Sequence, residues 1–189
     1  MPAPQLVTPR LVLRHWRDSD LIAFAKMNAD DRVMEFFPSP LTRQASDALA
    51  LRIRTGLQEN PFGLWAVEIP GSADFAGFIG LGIPWFEAPF MPAIEIGWRL
   101  ASDFWGKGYA TEGAREVLRY GFEELRLKEI VSFTATNNVR SQRVMTRIGL
   151  AHKKSDDFDH PALPEGHPLR RHVLYRLKRE HWAESSVRR

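Results

Sequence analysis

The stretch Phe104-Trp105-Gly106-Lys107-Gly108-Tyr109-Ala110-Thr111 decides how this chain is read. It sets two glycines between an alternating segment, Ile94, Ile96, Trp98 and Leu100 against Glu95, Gly97 and Arg99, and the clearest helical pattern in the chain. That pattern, Ala110, Ala114, Val117, Leu118, Gly121, Phe122 and Leu125, recurs at helical spacing. Glycines between a strand and a helix leave backbone N–H groups free beside the positive helix end, where phosphates are held. A phosphorylated cofactor is the natural guest. The dinucleotide fingerprint does not fit, because Thr111 stands where G-x-G-x-x-G needs its third glycine, and a P-loop needs Ser or Thr where Gly108 follows Lys107. The glycines alone leave open a tight turn that binds nothing.

Downstream, Ile130 to Phe133 reads as a buried strand. Asn137 and Asn138 then offer caps to a short helix striped by Val144, Met145 and Ile148 and closed by Gly149. Strands are expected around Ala151 to Lys153 and His172 to Leu177, separated by a loop from Asp159 to Pro168. Upstream, Leu11 to Trp16 suits a strand, and Asp18, Ser19 and Asp20 offer caps to a helix striped by Leu21, Ile22, Phe24, Ala25 and Met27. A second helix runs from about Gln44 to Gln58, and Trp65 to Ile69 with Phe78 to Ile83 forms a hairpin-like pair. Phe75 to Ile94 carries one charge, Glu87, but its glycines and prolines make it two buried strands and a loop, not a membrane span.

The 189 residues, 44% of them hydrophobic, suit a single domain over residues 1–189 with a real core, which excludes disorder as the dominant state. With no cysteine, disulfides, thiolate metal sites and cysteine nucleophiles are excluded. The net charge of +3 is small, and the cluster Arg170, Arg171, Arg176, Lys178 and Arg179 alternates with apolar residues as in a strand with a solvated face, so nucleic acid is not expected as a partner. Five of the six histidines lie late in the chain at spacings that match no zinc pattern, so no metal is expected. The N-terminal residues lack the features of a signal peptide, which makes a cytoplasmic protein the expectation, with no membrane partner.

Trp105-Gly106-Lys107-Gly108-Tyr109-Ala110 resembles the pyrophosphate loop, x-x-x-G-x-A, of the GNAT acetyltransferases, and specifically of their RimJ/RimL-like branch. Thr8-Pro9-Arg10-Leu11 with Leu13-Arg14 resembles the branch's opening strand, and Ile94-Glu95-Ile96-Gly97-Trp98 its fourth strand. Asn138-Val139-Arg140-Ser141 through Gly149-Leu150 resembles its second cofactor motif. The resemblance implies an α/β (α+β) GNAT fold, with a mixed central sheet of about six to seven strands, a V-shaped split between strands 4 and 5, and about four flanking helices. It also implies acetyl-CoA as co-substrate. The diphosphate would sit on the amides of Gly106, Lys107, Gly108, Tyr109, Ala110 and Thr111, and the pantetheine would pair with backbone at Trp98 and Leu100. Asn138 would reach the pantetheine arm and Ser141 the thioester sulfur, although the residues alone read Asn138 as a helix cap. Where many relatives carry a tyrosine acid, this chain has Met145, which cannot donate a proton and reads as core.

The expected function is therefore N-acetyl transfer to a primary amine of a protein N-terminus, a peptide or a small molecule, by direct attack in a ternary complex. The alternative is a non-catalytic acyl-CoA-binding sensor or assembly module of the same fold. Glu95 is the one carboxylate on its strand and the candidate general base, its competing reading being an ion pair with a basic neighbour. Acceptor choice is assigned to the loops Phe36 to Arg43, Phe86 to Pro92 and Asp156 to Pro168. A homodimer is left open as the oligomeric state.

Overall fold

The structure is a computed structural model that describes residues 2–187, so Met1 and the last two residues of the expected domain lie outside it. The chain divides into two compact units, residues 2–82 with 97–117 and residues 83–96 with 118–187.

In the first unit, β1 (Leu6–Val7), β2 (Val12–Arg14), β3 (Leu64–Ile69) and β4 (Ala73–Gly82) pair antiparallel in that order, with Leu13 opposite Leu6 and Val67. Between β2 and β3 lie α1 (Asp20–Asn28), α2 (Asp31–Met34) and α3 (Arg43–Glu59). The alternating apolar residues of the strands and the helical stripes meet in one core: Leu11, Leu13, Phe24, Leu57, Trp65 and Ile79 are all fully buried. Thr42 caps α3 by accepting from the Ala45 N–H. The expected cap of α1 is not made. Ser19 occupies the N-cap position without a side-chain bond, and Asp20 instead receives the fork of Arg14, at 2.8 and 2.9 Å. Arg14 is buried, and its other donors reach Glu68, His15 O and Asp74 O, so every donor it directs into the core has an acceptor.

The stretch from Phe75 to Ile94 holds one strand, not two. β4 ends at Gly82, and Pro84, Pro89 and Pro92 remove the donors that a second strand would need. At Gly77 a Cβ would overlap the carbonyl of Arg99, and at Gly80 that of Gly63, so neighbouring backbone comes closer than any side chain permits.

β5 (Glu95–Leu100) and α4 (Tyr109–Arg119) each begin in one unit and end in the other, and α4 runs on as a π-helical turn over residues 120–124. In the second unit, β6 (Glu129–Ala135) lies parallel to the start of β5, where Glu95 and Val131 form the one register pair. After α5 (Val139–Arg147) come β7 (Ala151–His152), β8 (Phe158–Asp159), β9 (Arg171–Lys178) and α6 (Arg179–Val187). β9 pairs antiparallel with β6, β7 and β8. Parallel and antiparallel pairing together make the sheet mixed. Nine strands are present among the described residues; β7 falls where a strand is expected, whereas β1 and β8 are two-residue pairings that hydrophobic periodicity cannot reveal. The expected solvated face of the basic strand is also corrected. β9 is buried from His172 to Tyr175, Arg176 is paired with Glu129 and Asp156, and Arg171 is paired with Asp159.

Candidate active site

The turn into α4 needs two residues with positive φ, and Gly106 (φ 74°) and Gly108 (φ 83°) supply them. Among the described residues, the N–H groups from Gly106 to Thr111 donate no backbone hydrogen bond. A row of free donors at the positive end of an eleven-residue helix fits a diphosphate. Lys107 is exposed, with Nζ 5.7 Å from the Phe104 ring.

Residues distant in sequence hold this loop. The Glu112 carboxylate, in the first turn of α4, accepts from Thr8 Oγ1 at 2.6 Å and from Arg10 N and Nε at 2.9 and 2.6 Å. Arg10 Nη1 donates to the Lys107 carbonyl at 3.0 Å, and its guanidinium lies over the Tyr109 ring. Burial acts to raise the Glu112 pKa, but the bonds from Thr8 and Arg10 prevail and hold it below the usual carboxylate value. Arg10 thereby neutralises the one acid in the first turn of α4. Sequence reasoning did not assign Thr8, Arg10 and Glu112 a part in the loop, because partners about a hundred positions apart leave no local signal.

On β5, the Leu100 carbonyl already accepts from Trp105 Nε1 at 2.8 Å, leaving it one lone pair. Trp98 is half-buried. Arg99 Nη1 donates to Asn28 Oδ1 at 2.7 Å.

In the second unit, Glu95 and Val131 are register partners, so their side chains leave the sheet on one face. Val131 packs there with Phe86, Phe90, Phe158 and Leu174, and Phe133 borders the same cluster. Burial raises the Glu95 carboxyl from 4.5 to about 8. Among the described residues nothing pairs with this carboxyl, so the ion-pair reading of Glu95 finds no partner.

Asn138 is the N-cap of α5, with Oδ1 accepting from Ser141 N at 3.2 Å and Nδ2 donating to Thr134 Oγ1 at 2.9 Å. One amide hydrogen and one lone pair remain for a ligand. Ser141 is half-buried, and Met145 is buried at 1% exposure. Of the late histidines, His160 and His172 sit with ring centroids 5.0 Å apart among Phe86, Phe133 and Phe158. Burial lowers His172 to about 4 and lowers His160 as well. Phe86 and Phe90 are core, whereas Trp85 is 80% exposed. Among the described residues, no group of three acidic or histidine side chains could hold a metal, and no helix is long and apolar enough to cross a membrane.

Trp98, Leu100 and the glycine loop thus belong to the first unit, and Glu95, Asn138 and Ser141 to the second. A mixed sheet with a glycine loop opening its main helix is a scaffold that can hold a phosphorylated cofactor. Residues 10–151 match the acetyltransferase (GNAT) domain, and the chain belongs to that family of N-acetyltransferases. It is 32% identical to the FsC-acetyl coenzyme A-N(2)-transacetylase of Aspergillus fumigatus, over 95% of this chain and 78% of that protein. A GNAT-family acetyltransferase of Bacillus anthracis shares the fold at a TM-score of 0.76 and 24% identity, covering 94% of this chain and 99% of its own. The ribosomal alpha-N-protein acetyltransferase RimL, in complex with coenzyme A, superimposes with a TM-score of 0.73 at 14% identity, over 93% and 98% of the two chains. GNAT acetyltransferases use acetyl-CoA and act on amine acceptors.

Proposed function

We propose that this chain transfers the acetyl group of acetyl-CoA to a primary amine of a protein N-terminus, a peptide or a small molecule, within a ternary complex. The observation that carries the reading is the row of free amides from Gly106 to Thr111 at the start of α4. The activity that the Aspergillus relative is named for, acetyl transfer from acetyl coenzyme A to a nitrogen, supports it. In this reading the loop takes the diphosphate, backbone at Trp98 and Leu100 takes the pantetheine, and Asn138 lends its remaining amide hydrogen. The amine nitrogen attacks the thioester carbonyl carbon, a C–N bond forms, and the C–S bond breaks to release the thiolate.

Glu95 accepts the proton that the amine must lose. With its pKa raised to about 8 by burial, the carboxylate form grows as pH rises toward that value, and the group is a far stronger base than an ordinary glutamate. The thiolate takes its proton from Ser141 or from water, since buried Met145 has none to give. The protein works in the cytoplasm as a single GNAT domain, either alone or as a homodimer.

Release of free thiol, followed over a panel of amines, tests the proposal, and the chain itself adds no thiol background. Turnover with at least one amine, together with saturable acetyl-CoA binding by calorimetry, is the expected result. Binding without turnover would favour the sensor reading, for which the burial of Met145 is the specific observation. Absence of binding would overturn both.

A further inference from the structure

Arg99 is a half-buried cation for which the described residues supply no anion. Its Nη1 donates to Asn28 Oδ1, its Nε is buried with no hydrogen-bond partner, and no carboxylate pairs with it among the described residues. The guanidinium lies 4.0 Å from the Phe37 ring centroid and 5.4 Å from that of Phe78. Taking a guanidinium out of water without a counter-charge is costly, and two ring faces return only part of that cost. Burial lowers its pKa to about 10, still far above neutrality, so the side chain remains charged.

The surroundings are built to hold this charge still. Asn28 is fully buried and is itself fixed, since its Nδ2 donates to Ser46 Oγ and its carbonyl accepts from Leu41 N. Leu41 and Phe37 both belong to the segment Phe36 to Arg43, which the sequence assigned to acceptor choice. Arg99 also follows Trp98 and precedes Leu100, the proposed pantetheine contacts, so it starts from the strand that would carry the acetyl donor. A fixed fork with open donors matches a carboxylate in geometry as well as in charge.

We propose that Arg99, oriented by Asn28 and stacked on Phe37, is an anion subsite that selects amine acceptors bearing a carboxylate. This rests on the acetyltransferase reading above. The carboxylate comes either from the acceptor amino acid itself or from an acidic side chain next to an N-terminal amine.

Two matched pairs distinguish these sources: L-alanine against L-alaninamide, and a short Ala-Asp peptide amide against its Ala-Asn counterpart. With the unaltered protein, kcat/KM for the carboxylate member of at least one pair should exceed that for the amide by about tenfold or more. In Arg99→Gln, which keeps a donor toward Asn28, the ratio should fall to about one. Arg99→Lys keeps the charge but loses the fork, and should retain only part of the preference. Equal rates within both pairs, or a preference that survives Arg99→Gln, would overturn the proposal. So would a tenfold loss of acetyl-CoA affinity in Arg99→Gln, since the anion would then belong to the cofactor. If no amine turns over, thermal stabilisation by succinate against succinamide still decides: a larger shift with succinate that Arg99→Gln abolishes supports the subsite, and equal shifts refute it.

Discussion

At the scale of one residue the proposed chemistry rests on Glu95, whose half-buried carboxyl has no partner among the described residues. If it is the base, Glu95→Gln should lower turnover by about 10² to 10⁴ while acetyl-CoA affinity, measured by calorimetry, stays nearly constant. The unaltered protein should show kcat/KM rising with pH through an inflection near 8, and the variant should lose that inflection. A lysine acceptor, with a free pKa of about 10.4, should suffer more from the substitution than an α-amine near about 8. Full activity of Glu95→Gln at every pH would remove Glu95 from the mechanism. Met145 makes the opposite forecast. Being core, Met145→Leu should leave turnover within a few-fold and cost less than about 1.5 kcal/mol in denaturant unfolding. Glu95 was visible in the sequence as the only acid on its strand, but its raised pKa was not, since that comes from burial, which depends on the tertiary fold.

Elements, in contrast, were legible where their periodicity is long. The α4 stripe and the alternation of β5 announce themselves, whereas α1 shows how a cap can mislead. Asp18-Ser19-Asp20 looks like capping chemistry, yet Asp20 serves the Arg14 fork that joins β2 to the start of α1. Asp20→Asn should therefore cost far more than a lost cap, about 3 to 5 kcal/mol in urea unfolding, because it leaves a buried guanidinium short of its main partner. The glycine loop yields a second element-level forecast. Gly108→Val places a branched side chain at φ 83° and into the proposed diphosphate space, and should abolish measurable acetyl-CoA binding without unfolding the protein. Glu112→Gln should weaken binding more gently, by loosening the Thr8 and Arg10 clamp on the same loop. Unchanged calorimetric affinity in Gly108→Val would mean that the loop does not hold the cofactor.

Across the whole molecule, stability should depend on pH through its buried imidazoles. His172 has its pKa depressed from 6.5 to about 4 by burial, and His160 is lowered in the same direction. A depressed folded pKa means that the unfolded chain binds protons first. The contribution is fully present above pH 6.5 and is lost as pH falls through about 4. Midpoints in urea should fall over that window, and His172→Phe should flatten the decline; an equally steep fall in the variant would place the effect elsewhere. The family and the main elements were readable from motif order, but the two short pairings on β9 and the pairing of its arginines were not, because they depend on which distant carboxylates come alongside. The close backbone approach at Gly77 has a consequence of a different kind. Any side chain there would push on the Arg99 peptide unit, and so displace the residues on either side of it. A random mutagenesis screen for loss of acetylation should therefore recover Gly77 as often as residues that touch a ligand. Read naively, its hits would draw a binding site around a position whose effect passes through the backbone of Arg99 and Leu100.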